Sequence, residues 1–155
     1  MRVITGTARG RRLKELEGME TRPTTGKVKE SLFSIIQFDI EGRRALDLFA
    51  GTGQLGIEAL SRGAKQCVFI DQRNDAVKLI RENLQVCGLT DSAVVRSGDA
   101  MAYLKSGEKF DLIFLDPPYD TGLLDKALAN VVQFDILAEG GIIVCESRRE
   151  KVLPQ

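Results

Sequence analysis

Histidine is absent from the 155 residues. That removes the usual general base of hydrolases, the imidazole ligands of most catalytic zinc sites and any Ser-His-Asp triad, so the chemistry here works without imidazole. Cysteine is scarce: Cys67, Cys87 and Cys145 form no C-x-x-C pair and each lies in an apolar stretch, which reads as core cysteine in a reducing cytoplasm. Neither a metal nor a disulfide framework is expected. No apolar run reaches membrane-spanning length, and the N-terminal region interleaves Arg2, Arg9, Arg11, Arg12 and Lys14 with small and polar residues where a secretory signal would carry its apolar core. A soluble, unsecreted, cytoplasmic protein without membrane contact is expected. Internal repeats and low-complexity segments are absent as well.

With 43% hydrophobic and 28% charged residues, the chain fits one core with a small appendage, and a monomer is expected. Charges cancel overall but are unevenly placed. Residues 1–29 hold eight Lys or Arg against Glu15, Glu17 and Glu20, leaving the remainder net acidic. Such a basic segment is either a solvated surface or a contact for nucleic-acid phosphates. Short β-like runs broken by Gly6, Gly10 and Gly18 make residues 1–25 a basic hairpin or arm, and residues 26–155 form the main domain. After Pro23, Thr24 or Thr25 can cap a helix that presents Val28, Leu32, Ile35 and Ile36 as its apolar face.

Beyond Arg44, short apolar runs alternate with amphipathic stretches. The runs are Ala45–Ala50, Cys67–Ile70, Ala93–Val95, Asp111–Leu115 and Gly141–Cys145; the stretches between them are 53–62, 73–87, 99–105 and 122–133. Five strands separated by four helices give an α/β fold, a mostly parallel sheet with helices on both faces.

The first strand runs into Asp47-Leu48-Phe49-Ala50-Gly51-Thr52-Gly53-Gln54-Leu55-Gly56, a glycine turn that lets backbone approach a ligand and opens a helix. Asp71, at the end of the second strand, can accept ribose hydroxyls. Gly51-x-Gly53-x-x-Gly56 with Asp71 also fits the dinucleotide fingerprint, which keeps an NAD-dependent oxidoreductase open. Asp47 weighs against it, because a carboxylate there would face an anionic pyrophosphate, yet it suits the cationic S-adenosylmethionine. Asp99 ends the third strand, either as an acceptor for an adenine amine or as a helix N-cap.

The fourth strand delivers Asp116-Pro117-Pro118-Tyr119. Two prolines fix φ and remove two donors, so the Asp116 carboxylate and Pro117 carbonyl stand as acceptors at a set spacing, matching the two hydrogens of an exocyclic base amine. Tyr119 offers a face on which a flipped or single-stranded base can stack. The loop is equally compatible with DNA adenine-N6 or cytosine-N4 methylation. A non-catalytic RNA-binding or assembly module is the alternative of another kind.

The chain resembles the bacterial 16S ribosomal RNA guanine-N2 methyltransferases, a Rossmann-like class I family, through Arg2-Val3-Ile4-Thr5-Gly6, Arg22-Pro23-Thr24, Lys29-Glu30-Ser31-Leu32-Phe33, Asp47 to Gly53, Leu55 to Ala64 and Asp116 to Tyr119. The resemblance implies a seven-stranded sheet and S-adenosylmethionine as cofactor, lined by Asp47, Phe49, Gly51, Gly53, Asp71, Asp99 and Ala100. It further implies a guanine held by Asp116, Pro117, Pro118 and Tyr119. Ribosomal RNA, within the small subunit or an assembly intermediate, would be gripped by Arg2, Arg9, Arg11, Arg12, Arg22, Thr24, Lys27 and Lys29. Gln54 departs from the small residue usual in the family loop, and Asp71 from the longer Glu. The family's final β-hairpin is expected to be missing after the fifth strand, which would leave that strand as an edge.

Overall fold

A computed structural model describes residues 1–16, 26–118 and 122–145. The elements follow one another as α1 (Gly26–Ile35), β1 (Arg44–Leu48), α2 (Gln54–Ser61), β2 (Gln66–Asp71), α3 (Asn74–Cys87), β3 (Ala93–Ser97), α4 (Ala100–Leu104), β4 (Phe110–Leu115), α5 (Leu123–Gln133) and β5 (Leu137–Cys145), with a single 3₁₀ turn at Thr90–Ser92 among the described residues. The five strands form one sheet in the order β3-β2-β1-β4-β5, and every pairing is parallel. The expected α/β fold is therefore present. β5 starts earlier than its apolar run, because Glu139, Gly140 and Gly141 are absorbed in a bulge where the register shifts between Phe110 and Leu112.

Alternation along the strands sorts the core into two layers. Ala45, Cys67, Phe69, Leu112 and Phe114 face Phe33 of α1, Leu55, Ile57 and Leu60 of α2, Ile80 and Leu84 of α3, and Val3, Ala8 and Leu13 of the N-terminal segment. Leu46, Leu48, Val68, Ile70, Ile113 and Leu115 face Ala100 and Leu104 of α4 and Leu124, Ala127 and Val131 of α5 on the other side. Helix α2 lies so close to β2 that a Cβ on Gly56 would fall 2.4 Å from the Phe69 ring and 2.7 Å from Cys67 Sγ, so only glycine fits. Cys67 is buried, whereas Cys87 and Cys145 are half-buried and all three are free thiols.

The N-terminal segment is a small antiparallel turn, bridged at Arg2 and Arg12. It docks on α2 through polar groups. The amides of Ile4 and Thr5 donate to the two Glu58 oxygens at 2.8 and 3.0 Å, Ala8 N donates to Ser61 Oγ at 2.9 Å, and Ser61 Oγ donates to the Thr5 carbonyl at 2.6 Å. Glu58, fully buried, also pairs with Lys29 of α1 and with Arg62.

That network corrects two expectations. Lys29, expected to grip RNA, is 1% exposed and turns inward, its Nζ 3.3 Å from Glu58 and 3.1 Å from the Arg2 carbonyl. The buried face of α1 is accordingly Lys29 and Phe33, continued by Ile36; Val28 and Ile35, expected as apolar anchors, are exposed. The helix is rotated because a lysine that can be paired and hydrogen-bonded occupies a core position.

Candidate active site

In a parallel sheet every strand points its C-terminal end the same way, so the loops after β1, β2, β3 and β4 converge on one edge. There they surround one cavity of about 520 Å³. From the cofactor set, Asp47, Phe49, Gly51, Asp71, Asp99 and Ala100 line it; from the base-holding set, Asp116, Pro117 and Pro118 line it too. The two groups of residues thus share a single space of ligand size.

Asp47, the second-last residue of β1, lies on the face covered by α2 and is 2% exposed, its Oδ2 accepting from Gly56 N at 3.0 Å. Burial pushes its carboxyl well above the ordinary carboxylate range; the Gly56 amide opposes this, and the neighbouring Asp116 and Asp71 charges add to it. Asp71 holds the glycine loop, accepting from Gly51 N at 2.8 Å through Oδ2 and from Arg73 N at 2.9 Å through Oδ1. Asp99 caps α4 by accepting from Ala102 N at 2.9 Å, so it serves as the N-cap while also bordering the cavity.

The turn itself is strained at one position. Phe49 is a non-glycine residue at φ 64°, alongside Gly51 at 60° and Gly53 at 81°. Gly53 stands apart from the other cofactor candidates. It does not line the cavity; it begins α2 in a left-handed conformation, where a Cβ would press on Ile80 at 3.2 Å.

Charge on the wall is lopsided. Asp47, Asp71, Asp99, Asp116 and Glu15 contribute carboxyl groups, while the one basic side chain among the described lining residues, Arg73, is engaged by Asp75 at 2.7 Å. A pyrophosphate would meet acid on most sides, whereas a cationic ligand meets compensation. No cluster of His, Cys, Asp or Glu among the described residues is arranged to hold a metal.

Several wall residues carry no motif and are invisible to sequence reasoning. Met1, Glu15 and Leu16 come from the N-terminal segment, and Met101 and Leu123 from the helices. The departure at Gln54 matters here, since its side chain is buried at the cavity edge. Of the RNA candidates, Arg2, Arg9, Arg11 and Arg12 are exposed on the hairpin, and Lys27 is exposed at the start of α1. Arg22, Thr24 and Tyr119 lie outside the described residues, as does everything after Cys145.

Comparison with known proteins places this geometry in a family. A family model described as "Conserved hypothetical protein 95" matches residues 1–155. "Putative rRNA methyltransferase YlbH" of Bacillus subtilis (strain 168) is 46% identical over 159 residues, covering 100% of this chain and 86% of that protein. "Ribosomal RNA small subunit methyltransferase D" of Escherichia coli (strain K12) is 36% identical over 155 residues, covering 99% of this chain and 78% of that protein. Among solved structures, "Putative methyltransferase yhhF from Escherichia coli" superposes with a TM-score of 0.89 at 35% identity, covering 100% of this chain and 84% of that one. Matched along its whole length, with the glycine turn and the Asp-Pro-Pro loop meeting in one cavity, the chain belongs to the Conserved hypothetical protein 95 family.

Proposed function

We propose that this protein transfers a methyl group from S-adenosylmethionine to the exocyclic N2 amine of a guanine in small-subunit ribosomal RNA. The observation that carries the reading is the shared cavity, in which an acid-lined half and the Asp116-Pro117-Pro118 acceptors open on the same space. The names of the relatives, rRNA and small-subunit methyltransferases, support the substrate class.

The cavity fits the donor by chemistry as well as size. Asp47, costly to bury as an anion, gains from an adjacent positive charge, and Asp71 at the β2 tip is placed for hydroxyl groups. The donor supplies an electrophilic methyl on a sulfonium. What the protein contributes is position: the Asp116 carboxylate and Pro117 carbonyl accept the two amine hydrogens, which turns the nitrogen lone pair toward the donor side of the cavity. Transfer makes the amine nitrogen acidic, and its proton leaves to Asp116 or to water, so no imidazole is needed. Tyr119 is the ring on which the base stacks, contributing about 1–3 kcal/mol against the few kcal/mol that unstacking costs.

Incubation with tritiated S-adenosylmethionine and RNA, DNA or small ribosomal subunits, followed by digestion to nucleosides, tests this directly. Label in N2-methylguanosine from the ribosomal substrate is expected. Label in N6-methyladenine or N4-methylcytosine of DNA would replace the substrate assignment, and donor binding without incorporation would make the protein a binding module.

A further inference from the structure

The cavity wall is not built from the sheet edge alone. Glu15 and Leu16 reach it from the N-terminal segment, far from every strand tip in sequence. The residue just before them, Lys14, is held by Asn83 of α3, which is 0% exposed, and the Lys14 ammonium pairs with Glu82 at 3.4 Å. Asn83 Oδ1 accepts from Lys14 N at 2.8 Å, and its Nδ2 donates to the Lys14 carbonyl at 3.2 Å and to the Thr52 carbonyl at 3.1 Å. One buried amide therefore reads both backbone polar groups of Lys14, as a neighbouring strand would, and fastens the same side chain to the glycine turn.

Three segments meet at this point: the N-terminal chain, the turn after β1 and α3. A buried side chain with both donors and its acceptor engaged fixes a distance between the first two. Lys14 precedes Glu15, the one acidic residue among the described lining residues that is not at a strand tip, and Thr52 follows Gly51, whose amide is held by Asp71. Nothing in the hydrophobic packing requires an asparagine there, since Ile80 and Leu84 beside it already join α3 to the core.

We infer that Asn83 is a positioning residue for the methyl-donor site, setting Glu15 against the glycine turn so that Glu15 becomes a donor-binding residue supplied by the N-terminal segment. The inference rests on the proposed donor cavity. It follows that the segment bearing Arg9, Arg11 and Arg12 is also a wall of the donor site.

The test is calorimetric titration of the full chain with S-adenosylmethionine, with steady-state methyl transfer measured alongside. Glu15→Gln, at an exposed position that leaves folding intact, is expected to weaken donor binding about tenfold, as removal of a hydrogen bond to a charged group does. Asn83→Ala is expected to raise the donor KM by a similar factor while kcat at saturating donor stays within about threefold, a split that general destabilisation would not produce. Unchanged donor affinity in Glu15→Gln, with the wild type binding, overturns the inference and leaves the methyltransferase reading standing. Equal loss of kcat and affinity in Asn83→Ala overturns the positioning role. Absence of binding in the wild type would instead sink the donor assignment itself.

Discussion

Lys29 and Glu58 meet at 3.3 Å with side-chain exposures of 1% and 0%, joining α1 to α2 inside the core. Burial holds the Lys29 ammonium below the ordinary lysine range even with the Glu58 carboxylate beside it, so desolvation outweighs the attraction. Glu58 has the more central place, since it also accepts from the amides of Ile4 and Thr5 and from Arg62 Nε at 2.8 Å. Glu58→Ala is expected to lower stability by about 3–5 kcal/mol, and Lys29→Met by distinctly less. Urea midpoints at constant m-value measure both. Equal losses would mean that the ion pair alone, and not the docking of the hairpin, depends on Glu58.

If Asp47 holds the donor as proposed, it sets stability against binding. Its carboxyl is raised in the folded protein, so between the ordinary carboxylate pKa and the raised one the folded state holds a proton that the unfolded state has lost. Stability therefore falls as pH rises through that window. Asp47→Asn keeps an acceptor for the Gly56 amide and removes the titration; it is expected to be more stable than the wild type near neutral pH, with the gap closing toward acid. The same variant should bind S-adenosylmethionine more weakly. Thermal melts across the acid-to-neutral range and calorimetry check the pair of effects, and a variant less stable at neutral pH would show that the carboxylate is not a burden on the fold.

Asp116 lines the cavity and is the residue proposed to hold the base. Asp116→Ala is expected to reduce methyl transfer by at least about 10²-fold, the scale of losing a positioned reaction partner, while donor affinity changes little. Equal loss of both would move Asp116 to the donor side.

Arg9, Arg11 and Arg12 are exposed and form no ion pair with a described residue. Replacing all three by Ala is expected to weaken RNA binding and to flatten the dependence of log K on log salt by about 0.7 for each phosphate of single-stranded RNA that is no longer neutralised. Filter binding over a salt series reads the slope; an unchanged slope would remove the hairpin from the RNA interface.

Gly6 sits at φ 95°, and a Cβ there would lie 1.8 Å from the Ser61 carbonyl oxygen. Gly6→Ala is expected to cost about 1–3 kcal/mol or more and to release the hairpin from α2, seen as faster proteolysis near the N-terminus. Protection equal to that of the wild type would mean the turn re-forms without its close approach.

The five strands, the glycine turn and the acids at the strand tips are legible in the sequence because each is local: a short apolar run, a glycine spacing, a carboxylate at or near a strand end. The phase of α1 is not, since Lys29 breaks the apolar pattern at one of the helix's two buried positions, and only its spacing of four from Phe33 hints at a shared face. Gly53 carries the fingerprint spacing, yet its conformation, needed to start α2, explains it without a ligand. Glu15, Leu16 and Asn83 have no motif because their roles depend on hydrogen bonds that span 31 to 69 residues of sequence, which no local window records.

The docking of the hairpin has to wait for helices far along the chain. The amides of Ile4, Thr5 and Ala8 find their acceptors on Glu58 and Ser61, and Lys14 finds its own on Asn83, separations of 53 to 69 positions. Residues 4–8 are therefore secured only once α2 is in place, and Lys14 only once α3 is, so this hairpin docks later than the local turns and helices form.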